Sequence, residues 1–327
     1  IQTCLALAQE AVRAQPDDPE VGRLRDWMTD LLGFIRLFDR AVSIARCYDA
    51  GISVLHVLPL PAVVHTVPFG PEGGPFGAEV VDRHRVLAEF PKFLALEQPI
   101  GAPVTYHVVE AKSPHNVILR EAAKLSADLI VMGTHGRSGF ERVLLGSVTE
   151  KVLRTSPVPV LTVPPHAPDV VPAGRDPFKR ILYATDFSPG SEHALRFAAS
   201  LAEHAAAQLI LLHSVESLPV GYDPIPVMAF DVTAYNAALA EAAKGRLRAF
   251  VPEALRLGCD TDDVVTSGRP YVEILRVAAE RQVDLIVLGI HGRSALDRLV
   301  FGSTTEHVLR RATCPVLTVR EYETAGA

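Results

Sequence analysis

The chain has 327 residues, a formal net charge of −6 and a sequence pI near 6.1. Apolar residues make up 48% of it and charged residues 21%. That is enough apolar material for two cores at about 150 residues each, which excludes a disordered or fibrous chain. No uncharged apolar run reaches about 18 residues, which argues against a membrane span. The acidic balance and an aromatic content of 6% argue against nucleic-acid binding.

The cysteines and the first residues bear on the compartment. Cys4, Cys47, Cys259 and Cys314 share no metal-ligand spacing and are expected to be small core residues in a reducing compartment. No basic segment followed by an apolar core occurs at the start, so no secretory leader is expected. The sequence therefore predicts a cytoplasmic protein of two domains.

An internal repeat organises the chain. Residues 127–163 and 283–319 are identical at 22 of 37 positions, at a constant offset of 156 residues. A period of this size indicates a duplicated domain and not a solenoid unit. Residues 164–179, between the copies, contain five prolines and are predicted to be a linker, because proline interrupts both helices and sheets.

The second copy alternates continuous apolar runs with amphipathic helices. Runs of this kind are typical of parallel strands that are buried on both faces. They lie at Ile181–Ala184, Leu209–His213, Asp284–Leu288 and Pro315–Val319. Ser188 and Pro189 predict a helix start, with the serine as the N-cap. The pattern predicts an α/β fold with a parallel sheet covered by helices on both faces.

The first copy lacks a recognisable first strand. The repeat places that strand near residues 24–29, where Arg25 and Asp26 are too polar for a strand buried on both faces. Apolar residues over 19–48 follow helical spacing instead. Two arrangements are open: N-terminal helices that cover the gap, which we favour, or a poorly matched strand at 24–28.

Both copies carry the glycine spacing G-x2-G-x9-G-S directly after a predicted strand. It comprises Gly289, Gly292, Gly302 and Ser303 in the second copy, and Gly133, Gly136, Gly146 and Ser147 in the first. Glycine lets a ligand approach the main chain, and a helix start favours an anion. The arrangement indicates a phosphate site without a P-loop or a dinucleotide fingerprint, since neither motif occurs.

A purely structural interpretation of the same residues is a capping box. Ser303 with Glu306, and Ser147 with Glu150, have the required spacing. His135 and His291 lie between the glycines and are expected to be loop histidines bonded to backbone. No further ligand at a fixed spacing indicates a metal site.

These motifs resemble the universal stress protein family. The resemblance rests on the two glycine motifs, on Ala184–Ser188 after the first strand, and on Leu212-His213 and Leu55-His56 ending the second. It implies two adenine-nucleotide alpha-hydrolase-like domains, each an open parallel sheet of order 3-2-1-4-5, with the first strand of domain 1 missing or degenerate. The expected divisions are a helical segment 1–36, domain 1 at 37–163, the linker 164–179 and domain 2 at 180–323.

In ATP-binding members of the family, the loop after strand 1 and the end of strand 2 hold adenine, and the glycine loop and helix start hold ribose and phosphates. The residues implied for the base in domain 2 are Ala184, Thr185, Asp186 and Ser214. Those implied for ribose and phosphate are Gly289, Gly292, Arg293, Ser294, Gly302, Ser303 and Thr304. The matching residues in domain 1 are Val57, Gly133, Gly136, Arg137, Ser138, Gly146, Ser147 and Val148, and Asp30 matches Asp186 poorly.

The resemblance implies a cytoplasmic stress-response protein that binds an adenine nucleotide, such as ATP, in domain 2 and more weakly or not at all in domain 1. One alternative is a slow ATP hydrolase or phosphotransferase with Mg²⁺ held by the phosphates, although no activated nucleophile or general base is identifiable. Another is an interaction scaffold that binds no nucleotide. We expect the two domains to pair through their last strands, which would otherwise leave apolar edges, while dimerisation of the whole chain is left open.

Overall fold

The computed structural model describes residues 35–59, 102–134, 145–168, 178–216, 232–290 and 302–320. In the first half these form a helix α1 at residues 35–47 and six further elements. The six are β1 Ile52–Pro59, β2 Val104–Ala111, α2 Pro114–Lys124, β3 Ile130–Gly133, α3 Ser147–Thr155 and β4 Val160–Val163. The helical spacing over 19–48 is thus confirmed from residue 35 onward, whereas 19–34, with the alternative strand at 24–28, lies outside the described residues.

The second half contains five strands and five helices in its described parts. They are β5 Arg180–Ala184, α4 Pro189–His204, β6 Gln208–Val215, α5 Val232–Phe250, α6 Glu253–Gly258, β7 Thr261–Ser267, α7 Pro270–Glu280, β8 Leu285–Ile290, α8 Ser303–Arg311 and β9 Val316–Arg320. Helix α4 begins as predicted: the Ser188 side chain accepts a hydrogen bond from the Ser191 amide at 3.2 Å, and Pro189 is the first helical residue.

The strands of the second half form a parallel sheet in the order β7-β6-β5-β8-β9. In the numbering of one domain this is the expected order 3-2-1-4-5, which is confirmed. The central strands are buried on both faces, so their sequences are continuous apolar runs. Helices α4 and α5 pack on one face of the sheet, and α7 and α8 on the other.

In the first half, the strands divide into two groups. β1 pairs with β2 in a separate two-stranded parallel sheet, whereas β3 pairs with β4. Among the described strands, β1 and β3 pair neither with each other nor with a common neighbour. Residues 1–34, to which the repeat assigns the first strand, lie outside the described residues, so the missing strand of domain 1 stays a prediction.

The two halves join through their last strands. β4 and β9 are antiparallel neighbours, and Leu161 pairs with Leu317, its equivalent in the repeat. The Thr162 hydroxyl donates to the Val316 carbonyl at 3.1 Å, and Thr318 donates reciprocally to Val160 at 3.2 Å. This isologous contact gives one seven-stranded sheet and confirms the predicted pairing.

Helix α1 also contacts the second half. Tyr48, which follows α1, stacks on His204, the last residue of α4, at 4.6 Å between ring centroids. Earlier in α1, Arg36 donates to the Pro165 carbonyl and Arg40 to the Pro168 carbonyl. Burial lowers the pKa of Arg40, and the charge of Asp284 opposes that shift. The first helix therefore holds both the start of the linker and helix α4 of the second domain.

None of the described helices is both long enough and apolar enough to cross a lipid bilayer.

Candidate functional site

The strand order reverses between β5 and β8, and this places a crevice at their carboxyl ends. β5 pairs with β6 on one side and with β8 on the other. The chain leaves β5 toward α4 on one face, and after β8 it returns through α8 on the opposite face. Open α/β sheets bind ligands at such a reversal, outside the carboxyl ends of the strands.

The loop after β5 carries two of the predicted base-binding residues, Thr185 and Asp186, next to Ala184 at the end of the strand, and it is held by its own hydrogen bonds. The amide of Thr185 donates to the Leu212 carbonyl at 2.9 Å, which continues the ladder with β6 by one residue. The Thr185 hydroxyl accepts from the Phe187 amide at 2.9 Å, and the Asp186 carboxylate accepts from the Ser188 amide at 3.1 Å. The position of Asp186 is thus fixed by the backbone on both sides of it.

Behind this loop, Tyr183 and Ser191 join β5 to the first turn of α4. The Tyr183 hydroxyl donates to the Ser191 carbonyl at 2.6 Å, and the Ser191 and Thr185 hydroxyls are 2.8 Å apart. Burial raises the pKa of Tyr183 to about 12, so the phenol is a neutral donor at physiological pH. The buried polar groups around the loop therefore have partners within it.

Ser214 turns its side chain away from β5. Its hydroxyl donates to the Gly268 carbonyl at 2.9 Å, beyond the end of β7. The backbone hydrogen bonds of β6 alternate between its two neighbouring strands. Even-numbered residues, such as Leu212, bond toward β5, and odd-numbered residues, such as Val215, bond toward β7. The peptide groups of Ser214 therefore point toward the β5 side. Since β5 ends at Ala184, the N–H and C=O of Ser214 face the crevice beside the loop after β5.

Gly289 has a structural reason to be glycine that the sequence did not indicate. A Cβ built there would lie 2.5 Å from the Gly190 carbonyl oxygen and 2.7 Å from the Ser191 amide. Both atoms belong to the backbone of α4. The absence of a side chain at Gly289 is thus explained by the close packing of this helix on β8, where we had expected the approach of a ligand.

The start of α8 is different, because no described residue crowds its glycine. Gly302 is the N-cap, with φ −59° and ψ 140°, and a Cβ there would meet no atom of the described residues within 4 Å. Ser303 is exposed and begins the helix. The first amides of a helix have no partners within it and favour an anion. Thr304 follows in the same turn.

The predicted capping boxes do not form. At the starts of both α8 and α3 the N-cap is the glycine, without a side-chain cap bond. Glu306 bonds to Arg310 at 2.6 Å, and Glu150 bonds to Arg154 at 2.6 Å. Each glutamate accepts a hydrogen bond from an arginine one turn further along its own helix, and its side chain therefore points away from the helix start. The capping-box interpretation is wrong.

The first copy repeats the geometry of this helix start. Gly146 caps α3 with φ −58° and ψ 136°, which matches Gly302, and Ser147 begins the helix. The Thr149 hydroxyl donates to the Gly133 carbonyl at 2.9 Å and ties α3 to the end of β3. Val148 lies in the same first turn, whereas Val57 lies in β1, which belongs to the other sheet.

Several predicted residues lie outside the described parts of the chain. They are Asp30, His135, Gly136, Arg137, Ser138, His291, Gly292, Arg293 and Ser294. Among the residues that are described, no cluster of three or more His, Cys, Asp and Glu side chains could hold a metal ion.

The sequence analysis did not identify the side chains that hold the loop after β5. His213 donates from Nδ1 to the Thr185 carbonyl at 2.8 Å. Its ring also packs on Phe187, with centroids 4.3 Å apart. The guanidinium of Arg246, on α5, lies 4.3 Å from the centroid of Phe187. The Leu212-His213 pair is one of the motifs that carry the family resemblance, but only the fold shows what the histidine contacts.

The fold and the crevice define an α/β protein of the open, doubly wound class. The internal repeat indicates that the chain contains two domains of this class. The model of the universal stress protein family matches residues 35–164 and 177–320. The chain belongs to this family, and it does so with two tandem domains.

Individual relatives agree with the tandem arrangement. A universal stress protein of Mycolicibacterium smegmatis is 29% identical over 288 residues, which cover 84% of this chain and 89% of the relative. A solved universal stress protein of Archaeoglobus fulgidus, with 22% identity and a TM-score of 0.56, covers 88% of this chain and shows the same fold. Another universal stress protein, solved in complex with cAMP, is 24% identical and covers 44% of this chain and 97% of its own, with a TM-score of 0.30.

Proposed function

We propose that this protein binds an adenine nucleotide of the ATP type in domain 2, as part of a cytoplasmic stress response. The observation that carries the proposal is the crevice at the reversal of strand order between β5 and β8. The proposal takes domain 1 as 37–163 and domain 2 as 180–323, joined by the linker 164–179.

The two sides of the crevice suit the two ends of a nucleotide. On one side, the Ser214 N–H and C=O face the loop after Ala184, which carries Thr185 and Asp186. A neighbouring donor and acceptor of this kind match the ring nitrogen and the amino group of adenine. On the other side, the amides at the start of α8 suit phosphate oxygens, with Gly302 leaving room for them.

Magnesium would be held by the phosphates in this proposal. Arg293 and Ser294, which follow Gly292 in the sequence, are proposed to add a cation and a hydroxyl to the phosphate side. Measuring phosphate release with and without Mg²⁺ distinguishes a binding protein from a slow hydrolase.

Replacing Gly302 by valine is expected to weaken ATP binding by at least about tenfold, as judged by calorimetric titration of the full chain. The added side chain enters the space proposed for phosphate, and its Cβ meets no atom of the described residues within 4 Å. The backbone angles of Gly302 are open to valine. The fold is therefore expected to survive, and thermal unfolding checks that it does. A Gly302→Val protein that binds ATP as tightly as the wild type contradicts the proposal.

The matched control is Gly146→Val at the equivalent helix start of domain 1. Domain 1 has the phosphate half, but its β1–β2 sheet is separate from β3, so the wall for the base is incomplete in the described residues. We propose that domain 1 is the weaker site or no site, and the Gly146→Val protein should keep its ATP affinity. An equal loss from both variants contradicts this asymmetry.

Replacing Ser214 by alanine should change ATP affinity by less than about twofold, because the hydroxyl bonds to Gly268 and the peptide groups face the crevice. The free energy of unfolding should fall by about 1 kcal/mol with the lost hydrogen bond. Titration with ATP and unfolding in urea measure the two effects. A loss of affinity above about tenfold would show that the side chain itself contacts the base.

A further inference from the structure

His213 connects two structures that would both line the base side of the nucleotide site, strand β6 and the loop after β5. It lies on β6 next to Ser214, whose peptide groups face the crevice. Its side chain points to the α4 and α5 face and reaches the loop after β5. The distance between strand β6 and that loop is therefore set in part by one side chain.

The hydrogen bond fixes the chemistry of the ring. Because the Thr185 carbonyl can only accept, Nδ1 of His213 carries the hydrogen, and in the neutral ring Nε2 does not. The bond immobilises the peptide between Thr185 and Asp186. The side chain of Asp186 is held separately, because its carboxylate accepts a hydrogen bond from the Ser188 amide.

The ring contact fixes the residue on the other side of Asp186. Phe187 has φ +61°, a conformation that is unfavourable for an aromatic residue and that persists only where its surroundings impose it. The ring of Phe187 packs on His213, stands edge-on to Phe250 at 5.4 Å, and lies under the guanidinium of Arg246. His213 thus contacts both neighbours of Asp186.

We propose that His213 is a positioning residue for nucleotide binding, which holds Asp186 in place through the Thr185 carbonyl. The inference rests on the proposed function of domain 2. It adds that the affinity for the base depends on a side chain that need not touch the nucleotide, while the phosphate half of the site is independent of it.

The test compares ATP with inorganic tripolyphosphate on the full chain. His213→Phe keeps an aromatic ring on Phe187 but removes the donor, and we expect ATP to bind about tenfold more weakly or worse, with tripolyphosphate affinity unchanged within about twofold. His213→Asn places an amide N–H near the position of Nδ1 and is expected to restore most of the ATP affinity. His56→Phe, at the equivalent position of the first copy, should match the wild type.

Three results would overturn the proposal. The first is an unchanged ATP affinity in His213→Phe. The second is an equal loss of affinity for ATP and for tripolyphosphate in His213→Phe, which indicates general damage to the site. The third is a His213→Asn protein that binds ATP no more tightly than His213→Phe. If the wild type binds no ATP, the proposed function itself fails.

Amide hydrogen exchange without nucleotide separates the two failures. His213→Phe should accelerate exchange at Phe187 and Ser188, whose amides donate within the loop, and His213→Asn should not. Unchanged exchange in His213→Phe would show that His213 does not hold the loop, whatever the protein binds.

Discussion

Replacing Gly289 by alanine is expected to lower the free energy of unfolding by about 3 kcal/mol or more. The new Cβ would lie 2.5 Å from the Gly190 carbonyl oxygen, 2.6 Å from its carbon and 2.7 Å from the Ser191 amide nitrogen. Because all three are backbone atoms, no rotamer change relieves the overlap. Either α4 or β8 has to move, and β8 is a buried central strand.

Urea unfolding of the full chain measures this effect, and Gly258→Ala is the matched control. A Cβ at Gly258 would meet no atom within 4 Å, so its free energy of unfolding should differ from the wild type by less than about 1 kcal/mol. Movement of α4 also displaces the loop that carries Asp186, so Gly289→Ala should bind ATP more weakly even where it is folded. A stability equal to that of Gly258→Ala would show that the close packing of α4 on β8 is not limiting.

Replacing Leu317 by aspartate is expected to destabilise the protein by about 4 kcal/mol or more. Leu317 pairs with Leu161 at the centre of the contact between β4 and β9, and the two are only 3% and 1% exposed. An unpaired carboxylate there would lose its hydration without gaining a partner among the apolar side chains of the cluster. The seven-stranded sheet should then separate at this pair.

The repeat supplies an internal check on the last prediction. Leu161→Asp places the charge on the opposite side of the same contact and should cost a similar amount, whereas Leu257→Asp, at a position 83% exposed, should be nearly neutral. Urea unfolding measures the stabilities, and small-angle X-ray scattering measures whether the two halves separate. A cost below about 1 kcal/mol for either leucine at the pair would contradict the role of this contact.

The parts of the fold that the sequence predicted are those with local or repeated signals. Continuous apolar runs such as Ile181–Ala184 predict parallel strands because a strand covered on both faces has no polar side. Ser188 and Pro189 predict the start of α4 because capping is decided within one turn. The repeat itself predicts the pairing of β4 with β9, since two equal apolar edges can cover one another.

The parts that the sequence did not predict depend on a choice between competing bonds or on contacts between distant residues. The capping-box pattern was present at Ser303 and Glu306, but Arg310 competes for the glutamate and local spacing cannot rank the two bonds. Gly289 was interpreted as a ligand contact, yet the atom that excludes its side chain lies about a hundred residues away on α4.

The sequence by itself determined the two domains and the resemblance to the family, because the glycine spacing and the apolar strands are encoded in short segments that occur twice. The strand order and the position of the crevice followed from that resemblance. Only the tertiary structure decided which groups face that crevice. The direction of the Ser214 peptide groups follows from the alternation of β6 hydrogen bonds between β5 and β7. The proposed role of His213 follows from its hydrogen bond to the Thr185 carbonyl. Both depend on the packing of separate strands, which no single segment of the chain specifies.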